Sequence, residues 1–158
     1  MKIDYLVIDN TALVSGLDLN LICQTQPNLK LFITSDLYRE AGKNPRSLQQ
    51  IEIAQMQKRL VIQDPSGQSL EKVEATSENT GDQGALSETD KALIALCIDL
   101  SLEDSGKDVF LMTDDYSMQN VCAQMDPPIK IFKFTKEGIK ESIQWEIYCP
   151  SCYKKYPP

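Results

Sequence analysis

The sequence predicts an α/β fold on a central parallel sheet, and three observations carry that prediction. Short β-branched runs recur at 3–8, 29–34, 60–63, 109–113 and 129–134, giving about five strands. Stretches of helical pattern lie between and after them, at about 11–23, 35–42, 45–59, 87–104, 115–125 and 136–147. Strands alternating with helices in this way belong to parallel sheets with helices on both faces.

Each element has its own signal. The opening strand reads LVIDNT and stops at an acid, Asp9. After the second strand, a short helix carries Glu40 near its end. Asn44 then caps a helix that has Pro45 at its first position, with Leu48, Ile51 and Ala54 following at helical spacing. The segment 65–85 reads differently: Pro, Gly, Ser, Thr, Asn and Gln with few apolar residues predict a long flexible loop. Ser87 caps the next helix, whose Leu93, Ile94, Leu96, Cys97 and Leu100 make a wide apolar stripe. The fourth strand runs FLMTDDY into a helix that starts near Tyr116.

The 158 residues include 23 Asp and Glu against 16 Lys and Arg, a formal charge of −7, with 42% hydrophobic residues, five Cys and no His. This suits one domain with a sizeable core, expected over 1–147, followed by a short tail at 148–158. Lack of His excludes Ser-His-Asp and Cys-His nucleophiles, HExxH zinc centres and a His general base, which leaves carboxylates and thiols for catalysis. No apolar run approaches the roughly 18 to 20 residues of a membrane span, so the expectation is a soluble intracellular protein with no membrane partner. An odd Cys count without a secretory signal argues for a reducing compartment. Charge is uneven: 64–90 holds seven acids and one base, while 39–59 and 130–158 are each net +3. Overall acidity is therefore weak evidence against a polyanionic partner.

In parallel α/β sheets, sites form beyond the carboxyl ends of the strands. Asp9 and Asp114, with Asp115 beside it, stand directly after the first and fourth strands, and Asp90 falls in the first turn of its helix. If the first and fourth strands are neighbours, Asp9 and Asp114 converge. Packed carboxylates repel unless a cation joins them, and hard oxygen ligands suit Mg²⁺ or Mn²⁺. Such an ion activates water for phosphodiester hydrolysis. Each acid also has a purely structural reading. Asp90 can form a capping box with Ser87, Asp114 or Asp115 can cap the helix at Tyr116, Asp9 can cap the segment after it, and Glu40 can be a solvated helix residue. Their joint placement carries the claim.

Taken together, LVIDNTALVSG, FITSDLYREA, ALSETDKALIALCIDL and LMTDDYSMQNV, in that order, resemble the signatures of PIN-domain ribonucleases over nearly the whole chain. The TDDY-x-x-QNV stretch and the late CPSC pair resemble the Nob-type endoribonucleases of ribosome maturation. The general pattern also fits PIN-type toxin ribonucleases. What the resemblance implies is a three-layer PIN-like fold with adjacent first and fourth strands and a pocket that binds Mg²⁺ or Mn²⁺ to cut single-stranded RNA. The implied catalytic acids are Asp9, Glu40, Asp90 and Asp114, with Asp9, Asp90 and Asp114 on the metal. Asn10, Thr11, Thr113 and Asp115 are implied in support. The implied partners are precursor small-subunit rRNA, cut at its 3′ end, and the pre-ribosome, in the cytoplasm if the source is archaeal. A catalytically silent PIN-fold module that binds RNA or protein in ribosome assembly is the alternative.

Within the resemblance, Cys149 and Cys152 stand where a zinc ribbon begins, but one CxxC offers two of the four ligands Zn²⁺ requires. The expectation is a truncated or degenerate ribbon, with Zn²⁺ only if a second Cys pair exists past Pro158. Cys23, Cys97 and Cys122 read as small buried hydrophobes. Arg39, Lys43, Arg46, Lys58 and Arg59 could line an RNA path beside Glu40, or form a solvated helical face. Trp145 and Tyr148, with Lys140, Lys154 and Lys155, could likewise meet RNA, or anchor a last helix on the core.

Overall fold

The computed structural model describes residues 3–82, 84–135, 144–148 and 155–156. In chain order the elements are β1 (Tyr5–Ile8), α1 (Asn10–Val14), α2 (Leu19–Thr25), β2 (Lys30–Ile33), α3 (Ser35–Ala41), α4 (Pro45–Met56), β3 (Leu60–Ile62), α5 (Gly67–Thr80), α6 (Glu88–Glu103), β4 (Val109–Met112), α7 (Tyr116–Gln124), β5 (Lys130–Thr135), β6 (Gln144–Tyr148) and β7 (Lys155–Tyr156). They form one sheet ordered β3-β2-β1-β4-β5-β6-β7. The five expected strands are mutually parallel, and β1 does pair with β4, Ile8 opposite Met112. Two further strands, β6 and β7, join antiparallel at the β5 edge.

The apolar runs explain the layers. All four residues of β4 are buried, and Phe110 meets Phe132 of β5 edge-on with centroids 6.4 Å apart. A strand covered on both faces reads as a continuous apolar run rather than an alternation. The middle of α6 is buried almost all round, from Ala92 through Cys97, because it packs on β1 and β4 while α5 and α7 cover it. Cys23, Cys97 and Cys122 are free and buried, as expected of small apolar side chains, and burial pushes the Cys97 and Cys122 thiols well up. No helix of the described residues is long and apolar enough to cross a membrane.

Three sequence expectations are corrected. The single helix at 11–23 is two, because Gly16 takes the left-handed φ of +99° and Asp18 starts a new helix by accepting from Leu21 N at 3.2 Å. The helix at 136–147 is not formed over its last residues, where Gln144–Tyr148 pairs as β6 with β5; 136–143 lies outside the described residues. The flexible loop at 65–85 is mostly the fourteen-residue helix α5.

That last departure has a clear cause. Ser66 caps α5 at its start, and Gly81 ends it at φ +78°. The buried face is Ser69, Val73 and Ser77, at i, i+4 and i+8, so its small polar residues conceal the helical period. Asp99, a buried acid inside the apolar helix α6, accepts from Ser66 N (2.5 Å), Ser66 Oγ (2.9 Å) and Ser69 Oγ (2.5 Å). Lys91, buried in α6, reaches Glu74 of α5 at 2.9 Å. Hydrogen bonds and an ion pair thus replace the apolar stripe as the docking force.

A carboxylate serving three donors is expensive to remove. Asp99→Ala is expected to lower stability by about 2–3 kcal/mol, since three polar groups lose a charged partner. Limited proteolysis of the native variant should then cut within α5, where the wild type resists. Equal resistance in both proteins would show that Asp99 does not dock α5.

Candidate active site

The β1–β4 pairing decides where the site lies. Sheet order turns at β1, with β2 on one side and β4 on the other, and such a turning point opens a crevice at the carboxyl ends of the strands. Asp9 leaves β1 there, its N–H donating to Met112 O at 3.0 Å, so that Thr113 comes level with it. The Asp9 carboxylate is only 3% exposed. Its Oδ1 accepts from Asn10 N at 2.7 Å, which starts α1, while Oδ2 accepts from Thr11 Oγ1 and from Thr113 Oγ1, each at 2.8 Å. Hydroxyls from two strand ends therefore fix one carboxylate.

Burial pushes the Asp9 carboxyl pKa up; the Thr11 and Thr113 hydroxyls and the Asn10 N–H pull it down, and the nearby charge of Asp90 adds to the upward push. The net shift is upward. Asp9 is thus a desolvated acid whose ionised form a cation would favour.

Two of the other expected acids connect to the Asp9 loop. Asp114 is exposed just past Thr113, and its N–H points at Thr11 Oγ1 at 3.5 Å. Glu40, at the end of α3, is tied to the Asp9 loop by Asn10, whose Nδ2 donates to Glu40 Oε1 at 3.3 Å. The Asn10 Oδ1 is buried with no hydrogen-bond partner among the described residues. Reversing this amide would set its oxygen against the Glu40 carboxylate, so the orientation follows from charge.

Two acids carry their structural roles as well. Asp90 forms a full capping box with Ser87: Asp90 N donates to Ser87 Oγ and Ser87 N to Asp90 Oδ2, both at 3.1 Å. Asp115 caps α7, accepting from Ser117 N at 2.8 Å and Met118 N at 3.5 Å. Its own N–H donates to Thr113 Oγ1 at 3.1 Å, so Thr113 links the cap to Asp9.

The expected RNA-facing cations divide. Lys43 is exposed in the turn after α3, just past Glu40 in the chain, and Arg46 is exposed at the second position of α4. Lys58 is exposed with a left-handed φ of 59°. Arg39 pairs with Asp36 one turn back on α3. The expectation for Arg59 is corrected, because its guanidinium donates to the backbone carbonyls of Leu29 (3.0 and 2.8 Å), Cys23 (3.1 Å) and Gln26 (2.6 Å). These are carbonyls left over at the end of α2 and before β2, which a cation satisfies well. Lys140, Cys149, Cys152 and Lys154 lie outside the described residues; Trp145 and Tyr148 stand on β6, next to the edge, and Lys155 on the edge strand β7.

One residue at this end escaped the sequence reading. Tyr116, the first residue of α7, follows Asp114 and Asp115 and is 82% exposed. Its signal was present in the residues three and four positions on, Gln119 and Asn120, which are polar and mark that helix face as turned to solvent.

As a donor set, Asp9, Asp90 and Asp114 offer only hard oxygens, which fits Mg²⁺ or Mn²⁺ in kind, and the strained ionisation of Asp9 and the unsatisfied Asn10 oxygen agree with that fit. Among the described residues no three acidic or Cys side chains stand close enough to hold an ion on their own.

Comparison with known proteins bears on this geometry. The family model described as PIN domain of ribonuclease matches residues 6–100. The chain is 33% identical over 112 residues to Endoribonuclease Nob1 of Methanothermobacter thermautotrophicus, covering 71% of this chain and 63% of that protein, so it spans less than two thirds of this relative. It is 28% identical to Endoribonuclease Nob1 of Pyrococcus abyssi, over 97% of this chain and 84% of the relative. Ribonuclease VapC1 of Thermoplasma acidophilum is 32% identical over 61% of this chain and 45% of its own length. Among solved structures, the PIN domain endonuclease Utp24 superposes with a TM-score of 0.47 at 15% identity, over 83% of this chain and 85% of that one.

Proposed function

Because this chain belongs to the PIN-domain family of ribonucleases, we propose that it is a divalent-metal-dependent endoribonuclease for single-stranded RNA, maturing the 3′ end of precursor small-subunit rRNA. The supporting observation is the buried Asp9 carboxylate at the β1–β4 crevice, held by Thr11 and Thr113, with Asp90 and Asp114 at the same end of the sheet. Asp9, Asp90 and Asp114 would hold Mg²⁺ or Mn²⁺, which supplies polarisation of a phosphoryl oxygen and a more acidic bound water.

The chain's own residues account for the rest. Thr11 and Thr113 aim the Asp9 carboxylate, and their hydroxyls favour its ionised form against the desolvation. Asn10 holds Glu40 toward the crevice, where its carboxylate can orient water and accept a proton. Lys43 and Arg46, exposed shortly after Glu40 in the chain, would serve as phosphate contacts, which position RNA without reading its sequence. The specific substrate rests on the resemblance of the TDDY-x-x-QNV stretch to Nob-type enzymes, while the relatives named Endoribonuclease Nob1 support the endoribonuclease activity.

A silent binding module is the second reading, and the observation favouring it is that among the described residues no three acids are gathered to ligand distance. The deciding experiment is calorimetric titration of Mn²⁺ with a single-stranded RNA cleavage assay on the same sample. Metal binding with cleavage that EDTA abolishes is the expected result. Binding of RNA without metal uptake or cleavage would transfer the assignment to the silent module.

A further inference from the structure

Leaving a large aromatic ring in water at the rim of a site forgoes the burial that its apolar area favours, so its surroundings bear examination. Tyr116 is 82% exposed, far more than any other aromatic ring whose burial is described. Among the described residues it takes part in no aromatic contact and its hydroxyl has no hydrogen bond.

Its position is closely defined by its neighbours. Tyr116 is the first residue of α7, two residues past Asp114 and directly after the cap Asp115. The two hydrogen bonds from Ser117 N and Met118 N to Asp115 lock this turn, and the Asp115 N–H ties it to Thr113, which in turn holds Asp9. The backbone carrying the ring is therefore rigidly coupled to the carboxylates while the ring itself remains free. Met118 and Val121 fill the core side of α7, so the helix does not need Tyr116 for its packing.

From this juxtaposition we propose that Tyr116 is a stacking platform for a nucleobase of the RNA strand, beside the crevice of Asp9 and Asp114 where the strand would be cut. The inference rests on the proposed nuclease reading and adds to it a residue that selects unpaired RNA. Within a duplex a base is already stacked on its neighbours, and only an unpaired one can leave them for a protein ring. A phenol presents two open faces and loses little rotamer freedom on binding, and base–aromatic stacking tolerates any base. The ring adds contact without charge on a surface where acids would repel phosphates.

The test uses the whole chain with Tyr116→Ala and Tyr116→Phe, and a single-stranded RNA carrying 2-aminopurine, in Ca²⁺ or without metal so that binding is read apart from cleavage. Tyr116→Ala is expected to weaken binding by roughly 5- to 100-fold and to lose the fluorescence change of the base. Tyr116→Phe should stay within about twofold of wild type, as stacking needs only the ring. The slope of log Kd against log salt should be unchanged in both, because no phosphate contact is removed.

Placing an abasic nucleotide at successive positions supplies the cycle: at one position, wild type and Tyr116→Ala should bind alike. Circular dichroism and Tm should match wild type, since the ring is exposed. Wild-type-like affinity in Tyr116→Ala, or an equal loss at every abasic position, would overturn the stacking role while leaving the nuclease reading intact. Failure of the wild type itself to bind single-stranded RNA would instead overturn the nuclease reading on which the proposal rests.

Discussion

Asp9→Asn is expected to abolish RNA cleavage, by roughly a thousandfold or more, while making the folded protein more stable. Both effects follow from one environment. The carboxylate is almost fully buried, and its oxygens are committed to the Asn10 N–H and to two threonine hydroxyls. An Asn of the same shape keeps one oxygen for the Asn10 N–H and turns its amide nitrogen to donate to the two threonine hydroxyls, which can accept, but it brings no charge to attract a divalent ion. It also relieves the desolvation and the repulsion from Asp90 that push the Asp9 pKa up.

The sign of the pH dependence is fixed by that direction. An acid whose folded pKa lies above its unfolded value opposes folding wherever it is ionised in both states. The penalty is complete above the folded pKa and fades as pH falls through it toward the unfolded value. The stability advantage of Asp9→Asn should thus be largest near neutral pH and should shrink as the solution is acidified through the carboxylate range. Calorimetric Tm values across that range measure it. Added Mn²⁺ should raise the Tm of wild type and leave the variant unmoved, since only a protein that binds the ion gains by mass action. A variant less stable than wild type at neutral pH, or cleaving normally, would remove Asp9 from the role assigned to it.

Arg59→Ala should be among the most damaging substitutions outside the core, and for a reason unconnected with RNA. Its guanidinium satisfies the carbonyls of Cys23, Gln26 and Leu29, joining the end of α2 to the start of β3 across the beginning of β2. The loss is expected to be about 2–3 kcal/mol, because partly buried carbonyls lose a charged donor. For a chain of this length that lowers Tm by about 4–12 °C. Arg59→Lys should recover part of it, one ammonium being unable to reach all three carbonyls in the plane of the fork. RNA affinity at fixed salt, and its salt slope, should match wild type in both. A reduced salt slope would return Arg59 to the RNA path.

Legibility in the sequence depended on how local each cause was. The helix α4 declared itself through Asn44 and Pro45, and α6 through Ser87 and its apolar stripe, since caps and stripes act within a turn or two. Helix α5 is hidden in the sequence because its buried face is Ser69, Val73 and Ser77, and the Ser69 hydroxyl finds its partner in Asp99, thirty residues away, while that of Ser77 turns back to the Glu74 carbonyl. Arg59 was read as a surface cation because the carbonyls it satisfies belong to a segment thirty residues earlier.

For the site, the sequence by itself determined the kinds of donor: with no His in the chain, any hydrolytic centre must be oxygen- or thiol-based, and acids stand where strands end. It also placed Asp9 and Asp114 directly after apolar runs, since a strand ends where its hydrophobic residues give out. Only the tertiary structure decided that β1 lies between β2 and β4, that Asp9 is buried while Asp114 is open, and that Asn10 reaches Glu40. Strand order, desolvation and contacts across a crevice depend on residues far apart in the chain, and no local pattern of side chains encodes them.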